Sequence, residues 1–437
     1  MKIILFLVTL LLTATSQADV LSVRDQARVV DELLADRFDH LLPALMDSTG
    51  IDMWIVVSRE YNEDPVMKTM LPADWLNARR RTILVFYRDP KKPALEKLAV
   101  ARYNVGTSIA AAWDVKKFPN QWDALLDIIR ARNPAKIGVD ISRNFNHADG
   151  LDQTDYTELM QMLPAQFKSR VVSAEPLAIR WLETRTEREM QIYPQLVNAT
   201  HKIIEEGFSE RVITPGVTTN EDVVWWFRQK IRDLGYDTWF HPSVEIQRQG
   251  ADAADTDVIL PGDLLHVDIG ITYLRLNTDI QEHAYILKPG ESDAPAGLKK
   301  EFAKTRRLQD ILLAQFKEGR SGNQMLAGAL AQARGEGIAP IIYSHPIGYH
   351  GHAAGPYIGM WDMQGGVPGT GDEALRYRTA YSIELSSSST IPEWKKPVSI
   401  MLEEDAYFDA SGIRYIDGRQ NAIYLLPRPS ANIGNGQ

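Results

Sequence analysis

Three stretches of this chain place acids among residues that otherwise read as apolar strands. HVDIGITYLRLNTDI, residues 266–280, carries Asp268, which alternates with Val267, Ile269 and Ile271, and Asp279, which precedes Ile280. An ionised carboxylate in a core costs several kcal/mol unless a positive group meets it. No Lys lies in this stretch, and its one Arg, Arg275, falls near the turn. If Leu264–Tyr273 pairs with Leu276–Leu287, a turn near Tyr273-Leu274 sets Asp268 opposite Asp279, with the carboxylates about 4–6 Å apart. Like charges that close do not both stay ionised unaided. A divalent cation removes the conflict and is well held by oxygen ligands.

The other two stretches follow the same logic. AYSIELS at 380–386 reads as a strand carrying Glu384, and VSIMLEEDAYF at 398–408 as another carrying Glu403 and Glu404. The odd spacing of Glu384 and Glu403 fits opposed positions on a hairpin, and the Pro-containing link IPEWKKP leaves the register open between Glu403 and Glu404. Between the two acid pairs, SHPIGYHGHAAG brings His345, His350 and His352 into a Gly-rich loop or strand end. Each feature alone has an ordinary explanation: an edge acid, a solvent-facing Glu, a loop His. Two carboxylate pairs on apolar strands with a His cluster between them match a two-metal site.

These residues need a scaffold, and the pattern changes along the chain. Residues 25–47 are helical in period; MWIVVS at 53–58, TILVFYR at 82–88, KLAVARY at 97–103 and KIGVDIS at 136–142 read as strands, with the helix WDALLDIIRARN at 122–133 before the last. That alternation predicts an α/β domain over residues 19–180. A helical connector at 176–190 leads into a second domain, residues 181–437. There Thr186 and Glu189 form a capping box for a helix over about 187–209, and Thr218 and Glu221 cap the next. A strand-like TWFHPSVEI follows. The same order returns at about 298–317, 323–334 and IIYSHPIG, and a His-Pro pair recurs at His241-Pro242 and His345-Pro346. Two helix–helix–strand halves facing each other across a pseudo-twofold would bring polar residues from both into one cleft.

The chain has 437 residues, and its net charge of −9 argues against a nucleic-acid partner. MKIILFLVTLLLTATSQADV reads as a secretory signal over residues 1–18: Lys2 is the positive start, Ile3–Leu12 is apolar but too short to span a membrane, and Ser16-Gln17-Ala18 offers a cleavage site. No later run is apolar enough for a transmembrane segment, so the mature chain is expected to be exported, secreted or periplasmic, without stable membrane insertion. With no Cys, disulfides, thiolate metal sites and Cys nucleophiles are excluded.

The second half resembles the pita-bread metallopeptidases, which include Xaa-Pro aminopeptidases, prolidases and methionine aminopeptidases. GDLLHVDIG followed by NTDIQEHAY is similar to that family's two-Asp hairpin, HPIGYHGH to its His motif, SIELS to the strand of its first Glu and MLEED to that of its last. The first half is similar to the smaller α/β domain of creatinase, prolidase and aminopeptidase P. The resemblance implies an α+β protein in which a smaller α/β domain precedes a pita-bread fold, a curved antiparallel sheet with pseudo-twofold helix–helix–strand halves. It also implies metal ligation by Asp268, Asp279, His345, Glu384 and Glu403, with Glu404 the register alternative to Glu403. Glu384 would be the general base and His352 the transition-state His, with His350 the competitor for either His role. Two divalent ions, Mn²⁺ first and Zn²⁺ or Co²⁺ as substitutes, would balance the four carboxylates. The implied substrate is a peptide or dipeptide cut at its N-terminus, with proline after the scissile bond, and the implied assembly is a homo-oligomer in which a neighbouring copy walls the cleft.

Three positions depart from the family pattern. Residues 242–262 lack an upstream catalytic His, Leu385-Ser386 stand where Pro-Gly follows the first Glu, and Met401 stands where an Arg precedes the last. These departures bear on the substrate pocket. They admit two alternatives: a catalytically altered module that binds peptides or proteins, and a metal-free amidinohydrolase resembling creatinase. Metal content and chelator sensitivity separate the three.

Overall fold

The computed structural model describes residues 20–89, 91–92, 94–250 and 256–428. The expected signal segment lies outside the described residues. Among those described, no helix is long and apolar enough to cross a membrane.

The first part opens with α1 (Val23–Asp36), a π-helical stretch Arg37–Leu41 and α2 (Leu42–Thr49), which Gly50 ends in the left-handed conformation at φ 66°. A mixed sheet follows, built of β1 (Met53–Arg59), β2 (Arg81–Tyr87), β3 (Glu96–Ala99), β4 (Ala110–Ala111), β5 (Ile137–Val139) and β6 (Val171–Ser173), in the order β4-β3-β2-β1-β5-β6. Its connections carry α3 (Pro65–Met70), α4 (Gln121–Arg132), α5 (Gln153–Met162) and α6 (Ala165–Lys168). Both faces of β1 are covered: Trp54 and Val56 pack with Phe38, Leu42 and Trp181, while Met53, Ile55 and Val57 pack with Trp122, Leu125 and Leu159. Two-sided burial explains why this strand is apolar without alternation. The connector helix α7 (Glu175–Glu183) contributes Leu177, Ile179 and Trp181 to this first core.

The second part begins with α8 (Glu187–Gly207), which has the expected Thr186–Glu189 capping box. The cap of α9 (Asn220–Asp233) is Thr219 with Asp222, one residue beyond the expected pair, because the Thr218 hydroxyl instead accepts from the Thr214 amide. The helix–helix–strand order recurs: α8, α9 and β7 (Ser243–Gln247), then α10 (Ala296–Leu313), α11 (Gly322–Gly335) and β12 (Pro340–Ile342). The stretch IIYSHPIG is two strands rather than one, with β13 (His345–Ile347) in a different sheet from β12.

The two-Asp hairpin has its turn one residue later than the spacing suggests. β8 (Leu264–Ile269) pairs with β11 (Ile280–Ile286), and between them β9 (Thr272–Tyr273) meets β10 (Leu276–Asn277) across Leu274-Arg275, both at positive φ. Asp268 therefore sits opposite Gln281, not Asp279. A shift of one residue at the turn moves the register by two, so Asp279 is a diagonal neighbour and the face is preserved.

The two expected Glu strands are also each split. β14 (Thr379–Ser382) and β17 (Asp405–Asp409) lie in one sheet with β13 and β18 (Gly412–Tyr415), whereas β15 (Leu385–Ile391) and β16 (Lys396–Leu402) lie in another with β12. Glu384 and Glu403 occupy the breaks where the chain crosses between the sheets. The register runs unchanged through the break, from Ser382↔Asp405 to Leu385↔Leu402, which sets Glu384 opposite Glu403. The order β19-β11-β8-β7, with β19 (Tyr424–Leu426), completes the remaining sheet. A bridge between Gln281 and Glu403 ties it to the break.

Candidate metal centre

Strand alternation sorts β8 into two sets. Leu265, Val267 and Ile269 join the core formed with α8 and α9 through Val197, Ile203 and Phe227. Each such buried side chain contributes about 1.5–3 kcal/mol, so this set pins the opposite face of the strand, with His266 and Asp268, toward the interior cleft. β11 is sorted the same way, with Gln281 on the cleft side and Glu282 on the helix side.

In the cleft the acids converge on one imidazole. His345 Nε2 lies 3.6 Å from Asp279, 3.6 Å from Glu403 and 3.9 Å from Glu384. Asp268, Asp279 and Glu403 each offer an oxygen within 4.8 Å of the others. His345 directs Nδ1 to the Pro346 carbonyl at 3.0 Å, which leaves Nε2 facing the acids. Ser382 donates to Glu403, and Asp405 accepts from the Asp279 backbone amide.

The charge of this cluster is not balanced among the described residues. Burial, then Glu403, raises Asp268, Asp279 and Glu384 well above the ordinary carboxylate range. Against burial, Glu403 and Glu384 raise His345. Asp268 Oδ1, Asp279 Oδ1 and His345 Nε2 are buried without a hydrogen-bond partner among the described residues. Orphaned acceptors on clustered acids, all aimed at one region, are what a divalent cation satisfies, so the residues present fit metal binding.

His352 projects at the mouth of this cluster. Its ring is 4.6 Å from that of His345 and 5.2 Å from Trp239, and desolvation followed by the charge of His345 lowers its pKa to about 4. His350 stands apart. It packs at 4.5 Å against His147 of the first part and belongs to no cluster of ligand atoms among the described residues. Glu404 also stands apart, pointing to the helix side, where it meets His201. His241, which flanks the segment that lacks an upstream His, is exposed against Trp225.

Spacing alone does not reveal Gln281. Its amide nitrogen donates to Glu384 at 3.0 Å and to Glu403 at 2.6 Å, while its carbonyl faces His266 at 2.9 Å. A neutral side chain in a strand gives no charge signal, and only its place two residues after Asp279 puts it on the same face.

Beside His350 and His352 a cleft of about 800 Å³ opens between the two parts, walled by Lys68, Trp75, His147 and Trp239. Both parts thus contribute to one enclosure large enough for a short peptide.

Residues 195–417, just over half of the chain, match the model of metallopeptidase family M24. No curated protein matches the sequence. Among solved structures the chain is similar to an X-Pro aminopeptidase from Thermotoga maritima MSB8, with 16% identity over 88% of this chain and 100% of that one and a TM-score of 0.63. It is also similar to an Xaa-Pro dipeptidase from Bacillus anthracis, with 15% identity over 92% and 100% and a TM-score of 0.57. A prolidase from Pyrococcus furiosus matches at 14% identity over 87% and 100%, with a TM-score of 0.56. At these identities the likeness shows the fold, which is the expected α+β pita-bread architecture.

Proposed function

The chain belongs to metallopeptidase family M24 and is a peptidase; from that premise we propose that it is an exported exopeptidase, dependent on two divalent ions, that cleaves the N-terminal bond of peptides or dipeptides with proline after the scissile bond. The observation that carries the metal dependence is the convergence of three acids on His345 Nε2 at 3.6–3.9 Å, with orphaned oxygens on Asp268 and Asp279. The Xaa-Pro preference is supported by the names of the structural relatives, and export by Lys2, Ile3–Leu12 and Ser16-Gln17-Ala18.

Divalent ions held by Asp268, Asp279, His345, Glu384 and Glu403 would polarise the scissile carbonyl and acidify the attacking water. The Glu384 carboxylate is partly exposed, at 22% of its side chain, against 5% for Asp279 and 2% for Glu403. It takes the proton from that water and returns it to the leaving amine. His352 donates to the oxyanion. The donor set of four carboxylates and one imidazole favours Mn²⁺, with Zn²⁺ or Co²⁺ as substitutes.

The test is elemental analysis of the purified chain, with hydrolysis of Xaa-Pro dipeptides and longer Xaa-Pro peptides before chelation, after it, and after Mn²⁺ is returned. Turnover lost on chelation and restored by Mn²⁺ is expected; turnover indifferent to chelator overturns the proposal. One observation favours a second reading. The Gln281 amide already satisfies part of Glu384 and Glu403, as suits a module that binds peptides without cleaving them. Peptide binding with no turnover at any metal loading would select it.

A further inference from the structure

The strands that build the catalytic face also build a second cluster on their reverse. Glu282 follows Gln281 and Glu404 follows Glu403, so both point to the side covered by α8. There they meet His201, whose Nε2 lies 2.9 Å from Glu404 Oε2. His201, Glu282 and Glu404 each offer a ligand atom, and these atoms lie within 4.8 Å of one another.

Two further features separate this cluster from an ordinary group of acids. Glu282 is 2% exposed, and its Oε2 has no hydrogen-bond partner among the described residues. The histidine is also held from behind, with Nδ1 3.1 Å from Asp417. A carboxylate behind a ring nitrogen fixes the tautomer and directs the other nitrogen outward, which is the usual support of a metal-bound His. Glu404 is oriented likewise, its second oxygen accepting from the Gln420 backbone amide at 2.7 Å. The cluster opens on a cleft of about 640 Å³ lined in part by His201, Glu282 and Asp417, which gives an ion an entry path and room for water to complete its coordination.

We propose that His201, Glu282 and Glu404 form a further divalent-cation site, on the opposite face of the sheet from the catalytic cluster and distinct from it. One imidazole nitrogen with two carboxylates suits Zn²⁺. The site does not rest on the peptidase chemistry, since none of its three ligands belongs to the catalytic set.

The test uses the full chain, stripped with chelator and equilibrated with Zn²⁺ by dialysis. His201→Ala and Glu282→Gln should each bind one equivalent fewer per chain than the unsubstituted protein. Asp417→Asn should keep the equivalent but weaken it about 10–100-fold. Unchanged stoichiometry and affinity in both ligand variants overturns the proposal, and identifies His201 as a protonated clamp between acids. A crystal of the unsubstituted chain grown with Zn²⁺ decides without any variant. An anomalous peak between His201, Glu282 and Glu404 is expected, and peaks confined to the cleft around His345 would refute the site.

Discussion

Glu189 and Asp279 are both buried carboxylates, at 0% and 3% exposure, and the fold treats them in opposite ways. Glu189 lies 3.1 Å from Arg37 and 3.7 Å from Arg185, and accepts from the Tyr349 hydroxyl at 2.6 Å. Burial alone would raise its pKa, but Arg37, then Arg185, Tyr349 and the Thr186 amide outweigh it and the group is lowered. Asp279 is raised by burial, and its acid neighbours Glu403, Asp268 and Asp405 add to the rise. The first arrangement gives its acid a complete set of partners within the chain and joins α8 to the π-helical stretch of the first part. The second is incomplete without an added positive charge. Buried acids met by guanidinium hold a structure together, and buried acids left with each other keep a place for a cation.

The sharpest way to break this contrast is to delete an acid from the incomplete cluster. Asp268→Ala should lower peptidase activity by roughly 10⁴-fold or more and reduce bound metal. The melting temperature of the metal-free chain should hold or rise by a few °C, because one like charge is gone. Full activity in this variant would remove Asp268 from the site, and collapse of the fold would show that its charge is already balanced.

The converse deletion is Glu189→Ala. It leaves Arg37 and Arg185, both at 0% exposure, without their anion. Breaking one side of a buried pair costs about 3–5 kcal/mol, which a urea midpoint will register. A loss below about 1 kcal/mol would mean that the Thr184 and Trp181 carbonyls, which Arg37 also reaches, are sufficient partners.

Glu183 sharpens the comparison, because it sits six residues before Glu189 and is equally buried. Arg180 lies 3.2 Å away, yet neither Glu183 oxygen accepts a hydrogen bond from the described residues. Burial wins and raises the group to about 8. The folded chain therefore binds this proton more tightly than the unfolded one. Glu183 has no effect on stability below the unfolded value of about 4.5 and costs progressively more as pH rises toward 8, with a constant penalty above it. Glu183→Gln should flatten that part of the profile and add roughly 1–3 kcal/mol at pH 9. Thermal unfolding of both proteins between pH 5 and 9 reads it; parallel profiles would show that Arg180 keeps Glu183 ionised.

What the sequence disclosed follows from where charge breaks an apolar pattern. Asp268, Asp279, Glu384 and Glu403 stand out because strands rarely carry acids inward, and the helix–helix–strand recurrence is visible because the helical period returns at about 298–317 and 323–334 and the His-Pro pair returns after it. The expected hairpin register differs from the observed one by two because the turn, Leu274-Arg275, carries no Gly or Asn to mark two consecutive positive φ values. The split of the Glu strands leaves no mark in composition, since a strand that changes sheets keeps its period. Gln281 was hidden by neutrality, and His201 by its place on a helix remote in sequence from its partners. Arg37 likewise sits in an amphipathic pattern where an Arg is expected to face water, and only the fold turns it inward.

The smallest change that tests the complete cluster is Tyr349→Phe. Tyr349 immediately precedes His350, so it ties the loop of candidate catalytic histidines to the buried ion group. Its ring lies 4.7 Å from the Arg185 guanidinium and 5.0 Å from that of Arg37, and its hydroxyl bonds Glu189. Phe keeps the ring faces and removes only the hydroxyl, so the expected cost is about 1–2 kcal/mol of unfolding free energy. If the phenol also sets the loop, KM for a short peptide should rise while metal content stays constant, because Tyr349 lines the cleft with His350 and His352. A loss as large as that of Glu189→Ala would make the hydroxyl, rather than the two guanidiniums, the main support of Glu189, and the contrast between charge-paired and unpaired acids would then need a different cause.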